Sequence, residues 1–138
     1  MHTLTQPAVG DELEPLSKTL DRAQLVKYAA GSGDFNPLHF DPDFPQARDI
    51  GDNIVHGRLK YAALGQLVSD WLDHRGFVRR ISASYLGMDR RGETFTCRGR
   101  VSDVREEDGR KVVELELWTE NSEGQRTTEG AAEVVLQA

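Results

Sequence analysis

Cysteine is nearly missing from this chain, long apolar runs are missing altogether, and positive charge is in the minority. Each shortage removes a class of protein. Cys97 stands alone, so no internal disulfide can form, and no Cys/His spacing resembles a structural zinc site. It falls in an alternating strand pattern, where it reads as a buried, inert thiol rather than a nucleophile. No apolar run approaches the roughly 20 residues of a membrane helix, and the polar start MHTLTQPAVGDELE lacks the apolar stretch of a signal peptide. The expectation is a cytoplasmic protein with no membrane partner. A net charge of −6 speaks against nucleic acid as a partner, although a few local cations can still hold an anionic small ligand. Repeats, low-complexity tracts and linker-like stretches are also missing. The 138 residues therefore read as one domain, 1–138, and 38% apolar residues are enough to fill its core.

What is present divides into a helical first half and a stranded second half. The stretch from Asp11 to Thr19 is mixed and suits a short leading strand. Asp21 then caps a short helix, DRAQLVKYAAGSG, with apolar Leu25, Tyr28 and Ala29 and a glycine-rich stop. From Asp34 to Asp52 three prolines and many Asp predict loop with one short turn of helix. GRLKYAALGQLVSDWLDHRG is the clearest helix: Leu59, Ala63, Leu64, Leu67, Val68 and Trp71 recur at helical spacing, and Gly76 sits where a stop belongs. Ala62 and Leu72 widen its apolar face, as in a helix largely wrapped by other structure.

Strands follow. RRISASYLGM alternates Ile81, Ala83 and Tyr85 with polar neighbours, and ETFTCRGRVSDV puts Phe95, Cys97, Gly99 and Val101 on one face. After the turn EEDGR, KVVELELWTE sets Val113, Leu115 and Leu117 against Glu114, Glu116 and Trp118. A second turn, NSEGQ, leads into TTEGAAEVVLQA. Long strands joined by short turns make an antiparallel meander, and a long helix ahead of it points to an α+β fold with the sheet wrapped around that helix.

The chemistry concentrates in one loop, Tyr28-Ala-Ala-Gly-Ser-Gly-Asp34-Phe-Asn36-Pro37-Leu38-His39-Phe40-Asp41. Pro37 fixes its own φ and biases Asn36 away from the helical region, so the loop is partly rigid. An Asp near a His is a plausible acid/base pair, since one is a carboxylate and the other titrates near neutrality. The residues alone leave the matter open. Asp and Asn are common in turns, where they satisfy local backbone groups, and a buried His is often only a hydrogen-bonded core residue.

The pattern Gly33-Asp34-x-Asn36-Pro37-x-His39-x-Asp41, with Tyr28 ahead of it, resembles the signature loop of the MaoC-like, R-specific enoyl-CoA hydratases. In that family a His-Gly step opens the central helix, and Ile54-Val55-His56-Gly57 stands at the matching place. The resemblance covers most of the chain and implies a hot-dog fold, an antiparallel sheet wrapped around a long central helix. It implies that Asp34 and His39 orient and deprotonate a water that adds to C3 of a trans-2-enoyl thioester. A proton reaches C2 from the same face, giving an (R)-3-hydroxyacyl thioester, and dehydration is the reverse. Asn36 would hold the catalytic groups or the water, and Gly57 would donate its N–H to the thioester carbonyl. Helix position supports the last role: an N–H at a helix N-terminus meets developing negative charge with both a hydrogen bond and a dipole. His56 fits packing or loop orientation better than catalysis.

No cofactor is implied, because CoA is part of the substrate, and no metal: Asp41 with His39 and His56 has no recognised ligand spacing. The implied ligand is an acyl-CoA or acyl-carrier-protein thioester. An open sheet edge and a half-formed site imply a partner hot-dog subunit, in a homodimer or a heteromer. Other readings are a subunit of a heteromeric hydratase for bulky acyl groups such as steroid side chains, a non-catalytic acyl-thioester-binding subunit, and an acyl-CoA thioesterase. One departure from the family stands out. After His-Gly come Arg58-Leu59-Lys60, two cations in the first turn of a helix, against its macrodipole. They fit either exposed charge or a subunit salt bridge, or else attraction for CoA phosphates or an acidic partner. The pairs Arg79-Arg80 and Arg90-Arg91 are further candidates for those phosphates.

Overall fold

The computed structural model describes residues 6–137. Local signals set the first elements. Helix α1 (Arg22–Ser32) begins with a capping box: the Asp21 carboxylate accepts from Gln24 N–H at 2.9 Å, and the Gln24 side-chain oxygen accepts from Asp21 N–H at 2.8 Å. It ends on Gly33 at φ 79°, a left-handed turn that only glycine takes freely, and so releases the chain directly into Asp34. The proline-rich stretch carries more helix than expected. Pro37 and Pro45 each stand in the first turn of a short helical segment, a 3-10 turn (Pro37–His39) and α2 (Pro45–Ile50). Proline fits there because its missing N–H has no partner to lose.

The long helix α3 (Gly57–Leu72) buries Lys60, Ala63, Leu64, Leu67, Val68 and Leu72. It stops earlier than expected, at Asp73 and His74, which take positive φ values of 46° and 61°. Gly76 is not its stop. It is the first residue of a strand, where an added Cβ would stand 2.2 Å from the Val135 carbonyl oxygen. Close strand contact, not helix termination, requires glycine there.

Among the described residues five strands form one antiparallel sheet: β1 (Leu16–Thr19), β2 (Gly76–Tyr85), β3 (Thr94–Glu107), β4 (Arg110–Glu120) and β5 (Arg126–Leu136), in the order β1-β3-β4-β5-β2. The meander β3-β4-β5 is the expected one, its first hairpin closed by Asp108 and Gly109, both at positive φ. β2 begins three residues before the expected strand, leaves the sheet at Tyr85, and pairs with β5 at the far edge. Phe95, Cys97, Val101, Val113, Leu115, Leu117, Ala132 and Val134 point from the sheet onto Leu64, Leu67 and Val68 of α3, with Leu25 of α1 closing the same core. This is the sheet-around-helix arrangement of the hot-dog fold. The outer face alternates in charge: Arg100 and Arg126 both pair with Glu116, and the Arg126 guanidinium lies 4.2 Å from the Trp118 ring centroid. Arg79 and Arg105 hold Glu133 down to about 2. Burial pushes the Cys97 thiol up to about 12, which keeps it protonated and inert. Among the described residues no helix is long and apolar enough to cross a membrane.

The edge strand depends on a second close approach. An added Cβ at Gly130 would stand 2.3 Å from the Ser82 carbonyl oxygen, a backbone atom that cannot move without displacing β2. Gly130→Ala should lower stability by about 1–3 kcal/mol, seen as a fall of several degrees in the thermal unfolding midpoint. An unchanged midpoint would show that β2 is not held this tightly.

Candidate active site

Asp34 follows the left-handed Gly33, and a local hydrogen bond aims it. Asn36 N–H donates to Asp34 Oδ1 at 3.3 Å, which leaves Oδ2 facing inward. The Asn36 side-chain oxygen in turn accepts from Leu38 N–H at 3.1 Å and starts the turn that carries His39. Asn36 therefore shapes the loop, and its own side chain is engaged in doing so.

His39 is buried, and its orientation comes from outside the loop. Its Nδ1 lies 2.9 Å from the Ile54 carbonyl oxygen. A carbonyl can only accept, so Nδ1 carries a proton, and in the neutral ring Nε2 presents a lone pair. That Nε2 lies 3.8 Å from Asp34 Oδ2, too far for a direct hydrogen bond and close enough for both atoms to bind one water. The Asp34 side chain keeps 44% of its accessible surface and His39 only 10%, so the pair sits at the edge of the core with its carboxylate side open to solvent.

His56 completes the cluster. Its ring stacks on His39 with centroids 3.7 Å apart and planes inclined by 20°, and meets the Tyr28 ring edge-on at 4.9 Å. Its Nε2 lies 3.3 Å from the Asp34 carbonyl oxygen, and its buried Nδ1 has no partner among the described residues. Burial and the stacked His39 hold its pKa below the ordinary 6.5, against the opposing pull of Asp34. Tyr28 is pushed upward, chiefly by burial. His56 is thus a neutral ring that supports His39 rather than a proton carrier. Donor atoms of Asp34, His39 and His56 all lie within 4.8 Å of one another, but stacked rings point their in-plane lone pairs nearly parallel, which is a poor arrangement for ligating one ion. Asp41 is not in that group; its side chain accepts from Asp43 N–H in a local turn.

Gly57 is the first residue of α3, so its N–H is among those the helix ladder leaves without a partner. The peptide link to His56 carries it next to the His39 stack. An added Cβ on Gly57 would stand 3.2 Å from the Tyr85 ring, which lies across it. Phe35, Tyr85, Leu86 and Met88 are exposed, placing apolar side chains beside both Asp34 and Gly57.

The expected cations fare unequally. Arg58 is exposed. Lys60 is neither an exposed charge nor free for a phosphate: it is 2% exposed and bonded to Asp89 Oδ2 at 3.0 Å and to the Gly87 carbonyl at 2.9 Å. Arg79 is engaged by Glu133 and Glu107, and Arg91 by Asp52 in a two-pronged contact. Sequence reasoning missed Asn53 entirely. Fully buried, it donates through Nδ2 to the carbonyls of Leu38 and Asp41 at 3.0 and 2.8 Å, tying down the turn that bears His39. Nothing local marks it, because its partners lie 12 and 15 residues away.

Comparison with known proteins bears on the family and the fold. The MaoC-like domain model matches residues 5–123. The (R)-specific enoyl-CoA hydratase of Aeromonas caviae is 30% identical over 112 residues, covering 76% of this chain and 79% of that one. The solved (R)-hydratase from A. caviae involved in PHA biosynthesis superposes with a TM-score of 0.87 at 28% identity, over 96% of this chain and 99% of that one. The ChsH1–ChsH2 complex from Mycobacterium tuberculosis shares the fold at TM-score 0.81 and 20% identity, over 96% of this chain and 100% of the matched one.

The lowered pKa of His56 has a consequence for stability. Below about pH 6.5 an unfolded histidine takes up a proton that the folded one resists. Its contribution is therefore complete above that pH and is lost as pH falls toward the folded value. Denaturant midpoints at pH 7.5 and 5.5 should show a drop on acidification that is smaller in His56→Phe, which keeps a flat ring. An equal drop in both proteins would place the acid sensitivity elsewhere.

Proposed function

The chain belongs to the MaoC-like domain family, and on that premise we propose that it is an R-specific hydro-lyase adding water to trans-2-enoyl thioesters, or removing it in reverse. The observation that carries this reading is the facing pair of Asp34 Oδ2 and His39 Nε2, 3.8 Å apart, with Nδ1 pinned to a carbonyl. A water bound by both atoms gives up a proton to the pair as its oxygen bonds to C3. The C2–C3 π electrons shift toward the thioester carbonyl, and C2 then receives a proton from the same pair, on the same face. One water is consumed, one C–O and one C–H bond form, and the pair returns to its starting protonation.

Negative charge gathers on the thioester oxygen during the addition. In this reading the Gly57 N–H and the positive end of α3 meet it, a role supported by Gly57 being the first residue of that helix, and one such donor is typically worth about 3 kcal/mol. The proposed chemistry draws on no cofactor, CoA being part of the substrate. The exposed Phe35, Tyr85, Leu86 and Met88, together with the ten-residue edge strand β2, favour a second hot-dog subunit packed beside this site. A copy of this chain is the simpler partner. A divergent one, as in the heteromeric ChsH1–ChsH2 complex, is the alternative and would suit a bulky acyl group.

Crotonyl-CoA and longer enoyl-CoA esters should lose their conjugated absorbance when incubated with the protein, yielding the R product. Asp34→Asn and His39→Ala should each lower kcat by about a hundredfold or more. Undiminished turnover in both variants would remove the pair from the mechanism, and release of free CoA would point to a thioesterase. Activity that needs an added hot-dog subunit would favour the heteromer.

A further inference from the structure

Lys60 is a costly residue where it stands. It lies in the first turn of α3, where the helix dipole opposes a cation, and its side chain is 2% exposed, as is that of its partner Asp89. A buried ion pair of this kind is often no more stabilising than apolar residues of the same size. What it supplies that apolar packing does not is direction. Lys60 Nζ donates to Asp89 Oδ2 at 3.0 Å and to the Gly87 carbonyl at 2.9 Å; Thr127 Oγ1 donates to the same Asp89 oxygen at 2.6 Å, and Thr119 Oγ1 lies 2.9 Å from Thr127 Oγ1.

The backbone shows what is being directed. The Asp89 carbonyl accepts from Val55 N–H at 2.8 Å, and the His56 carbonyl accepts from Lys60 N–H at 3.2 Å. Asp89 thus grips the chain on both sides of the His56-Gly57 step, at Val55 through its backbone and at Lys60 through its side chain. The same lysine, through Gly87, holds the segment that follows Tyr85, the last residue of β2, whose ring lies across Gly57. Thr127 closes the arrangement from the sheet side, its carbonyl accepting from the N–H groups of Leu86 and Gly87 at 3.0 and 3.1 Å.

We propose that the buried Lys60–Asp89 pair is a positioning device for the Gly57 N–H, clamping the start of α3 so that this donor meets the thioester oxygen in register. The inference rests on the hydro-lyase reading for its role in turnover, but not for the clamp itself. The pair neutralises itself, so its effect is geometric rather than electrostatic. A displacement of a fraction of an ångström at an oxyanion donor is enough to slow the chemical step without weakening substrate binding.

The test compares the wild type, the charge-free double variant Lys60→Met/Asp89→Leu, and Asp89→Asn, which keeps an oxygen acceptor in place. Hydration of crotonyl-CoA and the amide resonance of Gly57 in 15N-labelled protein are both followed. In the folded double variant kcat should fall about tenfold or more, KM should stay within about threefold, and the Gly57 resonance should shift or broaden. Asp89→Asn, which leaves the buried Lys60 cation without a counter-charge, should lower kcat and move the same resonance, each by less than in the double variant. A folded double variant with wild-type kcat and an unmoved Gly57 resonance overturns the proposal. Should the double variant not fold, Asp89→Asn decides: a fall in kcat together with a moved Gly57 resonance supports positioning, and a wild-type kcat, or a fall with the resonance unmoved, overturns it. A wild type inactive on every enoyl thioester would instead defeat the functional reading, while the Gly57 resonance would still test the clamp.

Discussion

The hydrogen bond between His39 Nδ1 and the Ile54 carbonyl, 2.9 Å long, is the constraint on which the site depends. It fixes the tautomer and the plane of the ring in one contact, and it links a loop to a stretch of extended chain that is itself held from both sides. Asn53 reaches forward to the carbonyls of Leu38 and Asp41, and the Asn53 and Val55 backbones pair with Arg91 and Asp89 behind. The loop that carries Asp34 and His39, the lead into α3 and the segment after β2 are therefore one hydrogen-bonded unit. Residues 53–55 are its common strut.

Burial sets the electrostatics of that unit. His56 is enclosed and kept neutral, so it supports the His39 ring without competing for its proton. Lys60 and Asp89 cancel within the core. What remains uncompensated is the half-exposed Asp34 on one side and the positive end of α3 at Gly57 on the other, with exposed Arg58 beside it. In the proposed reaction, a thioester whose reacting carbons face the first and whose carbonyl faces the second would meet opposite local fields at its two ends, the polarity that addition of water to a conjugated enoyl group requires.

Much of this was legible in the residues because the responsible interactions are short in sequence. The Asp21–Gln24 capping box, the α3 periodicity and the Asp108-Gly109 hairpin each close within a few positions. So does the Asp34-Asn36-Leu38 chain of hydrogen bonds, which is why the Asp-x-Asn-Pro-x-His pattern identifies the loop. The same local logic misled at Gly76, where a glycine after a helix suggested a stop, and at Pro37 and Pro45, where prolines suggested loop. At Gly76 the competing cause lay elsewhere, a strand 59 positions away that demands the glycine; at Pro37 and Pro45 it was local, since prolines in a first helical turn promote the helix they would break further in.

The sequence by itself determined the elements, the α+β class, the family and the loop that carries Asp34 and His39. Tertiary structure alone decided that β2 lies beside β5, that His56 stacks on His39, that Asn53 ties the His39 turn, and that Lys60 is buried against Asp89 rather than offered to a phosphate. The physical reason is that a side chain's charge, tautomer and exposure depend on which groups surround it. For these residues the partners lie 12 to 29 positions away along the chain, or farther, and meet only when the sheet closes around α3.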